Sequence, residues 1–171
     1  NAATTLGNNV VLNAGLTVNG SNDLTLNGAI SGTGGLTKNG LATLTLNGAN
    51  SYTGGTQINA GTLALGANAS LAASGIVDVV TGATFDLSAG NGLQTFGTLT
   101  GGGNVILGAN VLTIGSASDG TFSGSIGGAG SLVKVGTGTE TLTGTNTFTG
   151  RTAIDAGVLA IGAGGSLAAT G

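Results

Sequence analysis

Residues 36–66 read LTKNGLATLTLNGANSYTGGTQINAGTLALG, and residues 132–162 read LVKVGTGTETLTGTNTFTGRTAIDAGVLAIG. The two stretches align without a gap at an offset of 96 residues. The match extends over residues 30–75 against 126–171, with 26 identities in 46 positions. With one gap it continues upstream, residues 9–28 (NVVLNAGLTVNGSNDLTLNG) against 104–124 (NVILGANVLTIGSASDGTFSG). Self-similarity at a fixed period is the mark of a stacked repeat architecture. Residues 1–171 are therefore read as one segment holding about 1.8 copies of a unit near 96 residues. The repeat cores are 30–75 and 126–171, and both ends are expected to lie inside a longer array.

A shorter period runs inside the unit. Apolar anchors recur at Leu12, Leu26, Leu46, Leu65, Leu87, Leu107, Phe122, Leu142 and Ile161, at a nearly constant interval. Two steps fall short of it, Leu12 to Leu26 and Leu107 to Phe122, at equivalent places in the two units. Around the anchors apolar and polar residues alternate, as in Leu24-Thr25-Leu26 and Leu44-Thr45-Leu46. Such alternation marks half-buried strands, and the Asn-Gly or Gly that follows marks a turn. A second apolar strand is expected around Leu36, Ile58, Ile76, Leu132 and Ile154, and no segment carries a helical period. Strands this short cannot each bury a core, but stacked in parallel at about 4.8 Å per coil they can. The fold expected is all-β, a right-handed parallel β-helix (β-solenoid) with coils of about 19–20 residues and roughly eight or nine coils. Its handedness follows the general preference of parallel crossovers. One anchor above the next gives a rod of about 38 Å. A barrel of consecutive hairpins is disfavoured, because the turns are too long and too regular in phase.

Composition narrows the function classes. The chain has 37 Gly, no Pro, Cys, Met, Trp or His, and only nine charged side chains. Collagen needs Gly at every third position with abundant Pro, disulfide and Cys/His zinc sites have no ligands, and three cations make no nucleic-acid footprint. No window approaches the ~18 apolar residues of a membrane helix, and the first residues, Asn-Ala-Ala-Thr-Thr, do not read as a signal peptide.

The stretch 32–66 (GTGGLTKNG followed by TLTLNGANSYTGGTQINAGTLALG) resembles the autotransporter passenger-associated β-strand repeat, and 128–162 resembles a second copy. The intervening FDLSAGNGLQTFGTLTGGGNVILGANVLTIG and DGTFSGSIGGAGSL are similar to the linking coils of such passengers. The resemblance implies a right-handed β-helix at the surface of, or secreted from, a Gram-negative bacterium, exported through a C-terminal outer-membrane barrel that these residues do not include. Two departures stand out. Glu140 occupies the place of Leu44, which leaves the inward phase of its strand open, and Arg151 replaces Gly55 in the Gly-Gly turn.

No catalytic residue, cofactor-binding residue or metal ligand is expected, and no cofactor. Acid–base or nucleophilic chemistry through His or Cys has no residues to use. The acids Asp23, Asp78, Asp86, Asp119, Glu140 and Asp155 are scattered, and solvated or turn-forming roles are expected for each. Gly101-Gly102-Gly103-Asn104 lacks the recurrent Asp of a calcium roll. Gly32-Thr33-Gly34-Gly35 with Lys38 does not satisfy the phosphate-loop pattern. Lys38 and its equivalent Lys134 are expected at solvated tips, so that Lys38→Ala should shift stability by no more than about 0.5 kcal/mol. Tyr52 and Phe148, each in Asn-Ser/Thr-aromatic-Thr-Gly, are expected to close a coil corner rather than to offer a stacking platform for sugar rings. Asn27 and Asn47 are expected to stack amide on amide, and the sequons at Asn19 and Asn68 are read as chance.

The function expected is a non-enzymatic stalk or scaffold segment of an adhesin-type passenger, extracellular or at the cell surface of a Gram-negative bacterium. An alternative is a self-assembling fibre, the chain partnering itself end to end through terminal coils near residues 1–6 and 166–171. Host or surface ligands are expected to be met by parts outside this chain. No nucleic acid and no membrane insertion are expected. An ice-binding solenoid is a remote third reading, because the Thr43-x-Thr45 pair is followed by Thr62-x-Ala64 and Thr84-x-Asp86.

Overall fold

The computed structural model describes residues 3–168. Every regular element among them is a short strand, and every pairing is parallel. No helix is long and apolar enough to cross a membrane. The strands form three faces, visited in the same order on each turn. The first face stacks Thr4–Leu6, Leu24–Leu26, Thr43–Leu46, Thr62–Leu65, Thr84–Asp86, Asn104–Ile106 and Ser125–Gly127. The second stacks Val10–Leu12 on Ile30–Gly32 and, further along, Leu93–Phe96, Val111–Ile114, Ser131–Lys134 and Thr152–Ile154. The third is continuous over Leu16–Val18, Leu36–Lys38, Thr56–Ile58, Ile76–Val79, Thr98–Gly101, Gly120–Phe122, Thr139–Leu142 and Val158–Ile161. The fold is the expected β-solenoid, with about eight coils. The last residues of the second repeat core, 169–171, and Asn1 and Ala2 lie outside the described residues.

The alternation seen in the sequence sets the phase. In Thr43–Leu46 the two leucines are buried and the two threonines face outward, and Thr62–Leu65 repeats the pattern. Inward columns result: Leu24, Leu44, Leu63, Phe85, Val105 and Ile126 succeed one another on the first face. Phe85 meets Phe96 across the interior, with ring centroids 5.9 Å apart and tilted by 53°. A column of apolar side chains buried on every rung supplies the core that no single strand could.

The nine anchors do not form one column. Leu12 pairs with Gly32 on the second face; Leu26, Leu46 and Leu65 run up the first face with Leu87 and Leu107 continuing their line; Phe122, Leu142 and Ile161 belong to the third. The two short steps, Leu12 to Leu26 and Leu107 to Phe122, are passages over two faces, two-thirds of a coil. The rod is correspondingly shorter than the expected length: eight strands on the third face make seven steps, about 34 Å. The same arithmetic governs the long repeat. Leu24–Leu26, on the first face in the second coil, corresponds in sequence to Gly120–Phe122, on the third face in the sixth coil. A unit is thus about four and two-thirds coils, and each element of the second copy lies on a different face from its counterpart.

On the second face the third and fourth coils carry no strand, only a parallel bridge between Ala49 and Ser70. The side chain of Asn50 continues the ladder there. Its Oδ1 accepts the Ile30 N–H at 2.9 Å from the coil below, and its Nδ2 donates to Ser70 O at 3.0 Å above and to Gly48 O at 2.8 Å. Asn146 repeats all three contacts with Ile126, Ser166 and Gly144. Gly32 and its equivalent Gly128 close the preceding corners at φ of 109° and 118°. A Cβ on Gly32 would also overlap the backbone of Leu12, so both conformation and space exclude a side chain.

Candidate functional site

Several polar and charged groups lie inside the tube. Lys38 and Lys134, expected at solvated tips, are buried to 1% and 2% exposure. The reason is phase: Leu36-x-Lys38 and Leu132-x-Lys134 place the lysine on the same side as the buried leucine. At the end of its strand each ammonium turns onto corner carbonyls that the ladder leaves over. Lys38 Nζ donates to Gly40 O and, at 3.2 Å, to Ala60 O. Lys134 Nζ donates to Val135 O at 2.6 Å, Gly136 O at 3.2 Å and Ala156 O at 3.5 Å. Burial lowers the proton affinity of Lys38, partly offset by the negative charge of Asp23.

Glu140 corrects the expectation of solvated acids. It points inward at 2% exposure, in the column Gly120, Glu140, Leu159. Gly120 has no side chain, and a Cβ there would overlap Glu140 Oε2, so the carboxyl occupies the space the glycine leaves. Burial pushes this carboxyl up to about 7, against the opposing pull of a backbone hydrogen bond from Leu99 and the charge of Lys134. Among the described residues its Oε1 has no hydrogen-bond partner.

Four of the remaining acids hold the backbone or a neighbouring rung. Asp23 Oδ1 accepts the Thr43 N–H at 2.8 Å, and its equivalent Asp119 accepts the Thr139 N–H at 2.7 Å. Asp86 accepts the Ser88 N–H at 2.8 Å within its own turn, and Asp78 accepts the Thr100 hydroxyl at 3.0 Å from the next coil. Asp78 and Asp86 lie on the third and first faces and do not combine, while Asp155 is exposed. Among the described residues no group of three or more acids could hold a metal ion. In the glycine run at 32–35 the Gly34 N–H is spent on Leu12 O, and Lys38 faces inward, so the run makes a coil corner and not a phosphate cradle.

Tyr52 and Phe148 are both buried at 2% exposure and close corners as expected. The Tyr52 hydroxyl meets the Thr56 hydroxyl at 2.6 Å, and burial pushes its phenol up to about 12. The amide stack is present, Asn47 Nδ2 donating to Asn27 Oδ1 at 2.7 Å, and Asn19, Asn39 and Asn59 make a second exposed stack at 2.9 and 2.7 Å. Buried Asn50, Asn110 and Asn146 were not singled out from sequence. The signal was available, because Asn50 and Asn146 occupy the same place in the Asn-Ser/Thr-aromatic motif. Asn110 plays the same part with Gly92, Leu87 and Leu107.

The passenger-associated-transport-repeat matches residues 36–65 and 132–161. Over 152 residues, 78% of this chain, the sequence is 40% identical to a protein of Brucella suis biovar 1 (strain 1330) described as "Adhesin BmaC autotransporter". The chain spans about 4% of the length of that relative. No solved structure matches.

Proposed function

From two copies of the passenger-associated-transport-repeat set in one continuous stack of coils, we propose that residues 1–171 are a structural, non-enzymatic stalk segment of an autotransporter passenger of the adhesin type. The segment belongs to a longer array and is displayed on, or released from, the surface of a Gram-negative bacterium. The observation that supports this reading is where the chain spends its polar side chains. Lys38, Lys134, Asn50, Asn110 and Asn146 all satisfy backbone groups of their own or neighbouring coils. Residues used to close coils build length and stability.

The test is made in the parent passenger. Replacing this segment by an equal number of coils from an unrelated solenoid should leave secretion and the surface display of the flanking passenger intact, whereas display lost despite normal secretion would contradict the reading. End-to-end assembly into fibres is read out by sedimentation of the purified segment across a concentration series; a concentration-dependent fibre would replace the stalk reading. The Thr columns weaken the ice-binding reading, because register places Thr45 beside Ala64 and Ala64 beside Asp86.

A further inference from the structure

On the third face the outward side chains stand in two columns. One runs Thr17, Thr37, Gln57, Asp78 and Thr100. Beside it the other begins with Gly35 and Gly55, which carry no side chain, and then reaches Ile76, which is 53% exposed. The missing side chains leave an open trough of about 290 Å³, floored by Gly35, Gly54 and Gly55, walled by Thr37, Gln57 and Asp78, and ended by Ile76. In its floor Gly54 is fixed by coil stacking, since a Cβ there would overlap Gly34. The wall is not: Thr37, Gln57 and Asp78 point away from the core.

The second copy shows what the repeat needs without a trough. There Ser131 and Arg151 stand in place of Gly35 and Gly55, and Val133 and Ala153 in place of Thr37 and Gln57. The strands pair in the same register in both copies. Stacking therefore does not demand glycine at 35 and 55 or polar side chains at 37 and 57.

We propose that this trough binds one neutral sugar ring of a glycan, its hydroxyls taken by Thr37, Gln57 and Asp78 and its C–H edge laid against Ile76. The size lies near the lower end of ligand pockets, which suits a single ring. A hydroxyl, a carboxamide and a carboxylate set along one wall offer alternating donors and acceptors for vicinal hydroxyls. No cation lines the trough, and Asp78 repels anions, so phosphate, sulfate and acidic sugars are disfavoured. The sheet beneath is paired on both sides, leaving no edge for an added peptide strand. This site goes beyond the stalk reading and does not depend on it.

The test is a titration of the isotope-labelled 171-residue chain with a panel of neutral hexose and N-acetylhexosamine oligosaccharides, followed by amide NMR shifts. Expected are shifts confined to Thr37, Gln57, Asp78 and their neighbours, saturating with a dissociation constant of about 1 mM or tighter for at least one probe. Residues Val133 and Ala153 serve as a control within the same molecule. Gln57→Ala and, independently, Thr37→Val should each weaken binding about tenfold while leaving the thermal midpoint unchanged. No shift with any probe, equal shifts on both copies, or binding there of an extended hexapeptide instead would each overturn the proposal.

Discussion

Lys38 and Glu140 show how a single side chain's phase outweighs its polarity. The rule that charged residues face water failed for both because each stands two residues from a buried leucine in an alternating strand. The pattern was legible in Leu36-x-Lys38 and in Glu140-x-Leu142; what could not be read was where the charge would find partners, since Gly40 and Ala60 come from two different corners. Lys38→Ala should therefore cost about 2 kcal/mol rather than nothing, because corner carbonyls lose their donor and the aliphatic stem leaves the core. Chemical denaturation of the variant checks it, and an unchanged midpoint would contradict the cap. For Glu140 the folded-state value of about 7 lies above the ordinary 4.5, so the folded chain holds the proton more tightly than the unfolded chain. Stability from this group is fully present below pH about 4.5 and is lost as pH rises through about 7, up to about 3 kcal/mol in all. Thermal melts at pH 5 and pH 8 should show the wild type weaker at pH 8, and Glu140→Gln should narrow that difference. A variant with the full wild-type dependence would place the titration elsewhere.

At the scale of the strand and corner, the inward columns and the asparagine bridges do separate jobs. Leu46 is fully buried between Leu26 and Leu65. Leu46→Asp puts an unpaired charge in that column and should cost several kcal/mol, about 4 or more, seen as early loss of the surrounding coils. Asn50 acts where the second face has no strand. Asn50→Ala orphans the Ile30 N–H and removes one of two donors from each of the Gly48 and Ser70 carbonyls, and should cost about 2 kcal/mol. Hydrogen exchange should then rise at Ile30; an unaltered rate would mean that water replaces the bridge. The strands themselves were legible because alternation and Asn-Gly turns repeat along the chain. The bridges were less so, because a buried Asn and a turn Asn look alike until the coil above and the coil below are known.

For the whole molecule, the coil period and the parallel stack could be read from the anchors, but the assignment of anchors to faces could not. All three faces use the same inward apolar pattern, so a short step such as Leu107 to Phe122 resembles an irregular coil when it is a passage of two faces. The consequence is that the long unit does not stack on itself in phase: its second copy is turned by one face, and the exterior columns change composition along the rod. That claim has a direct test in a chain that lacks cysteine. Thr100 and Thr121 each precede the paired residues Gly101 and Phe122, and so lie on adjacent rungs of the third face. Rungs about 4.8 Å apart are within disulfide reach. Oxidation of the double variant Thr100→Cys, Thr121→Cys should cross-link it within the folded chain, while Ile106→Cys, Thr121→Cys, adjacent only if Leu107 and Phe122 shared a column, should stay reduced. The opposite outcome would restore a single column of anchors and contradict the three-faced arrangement.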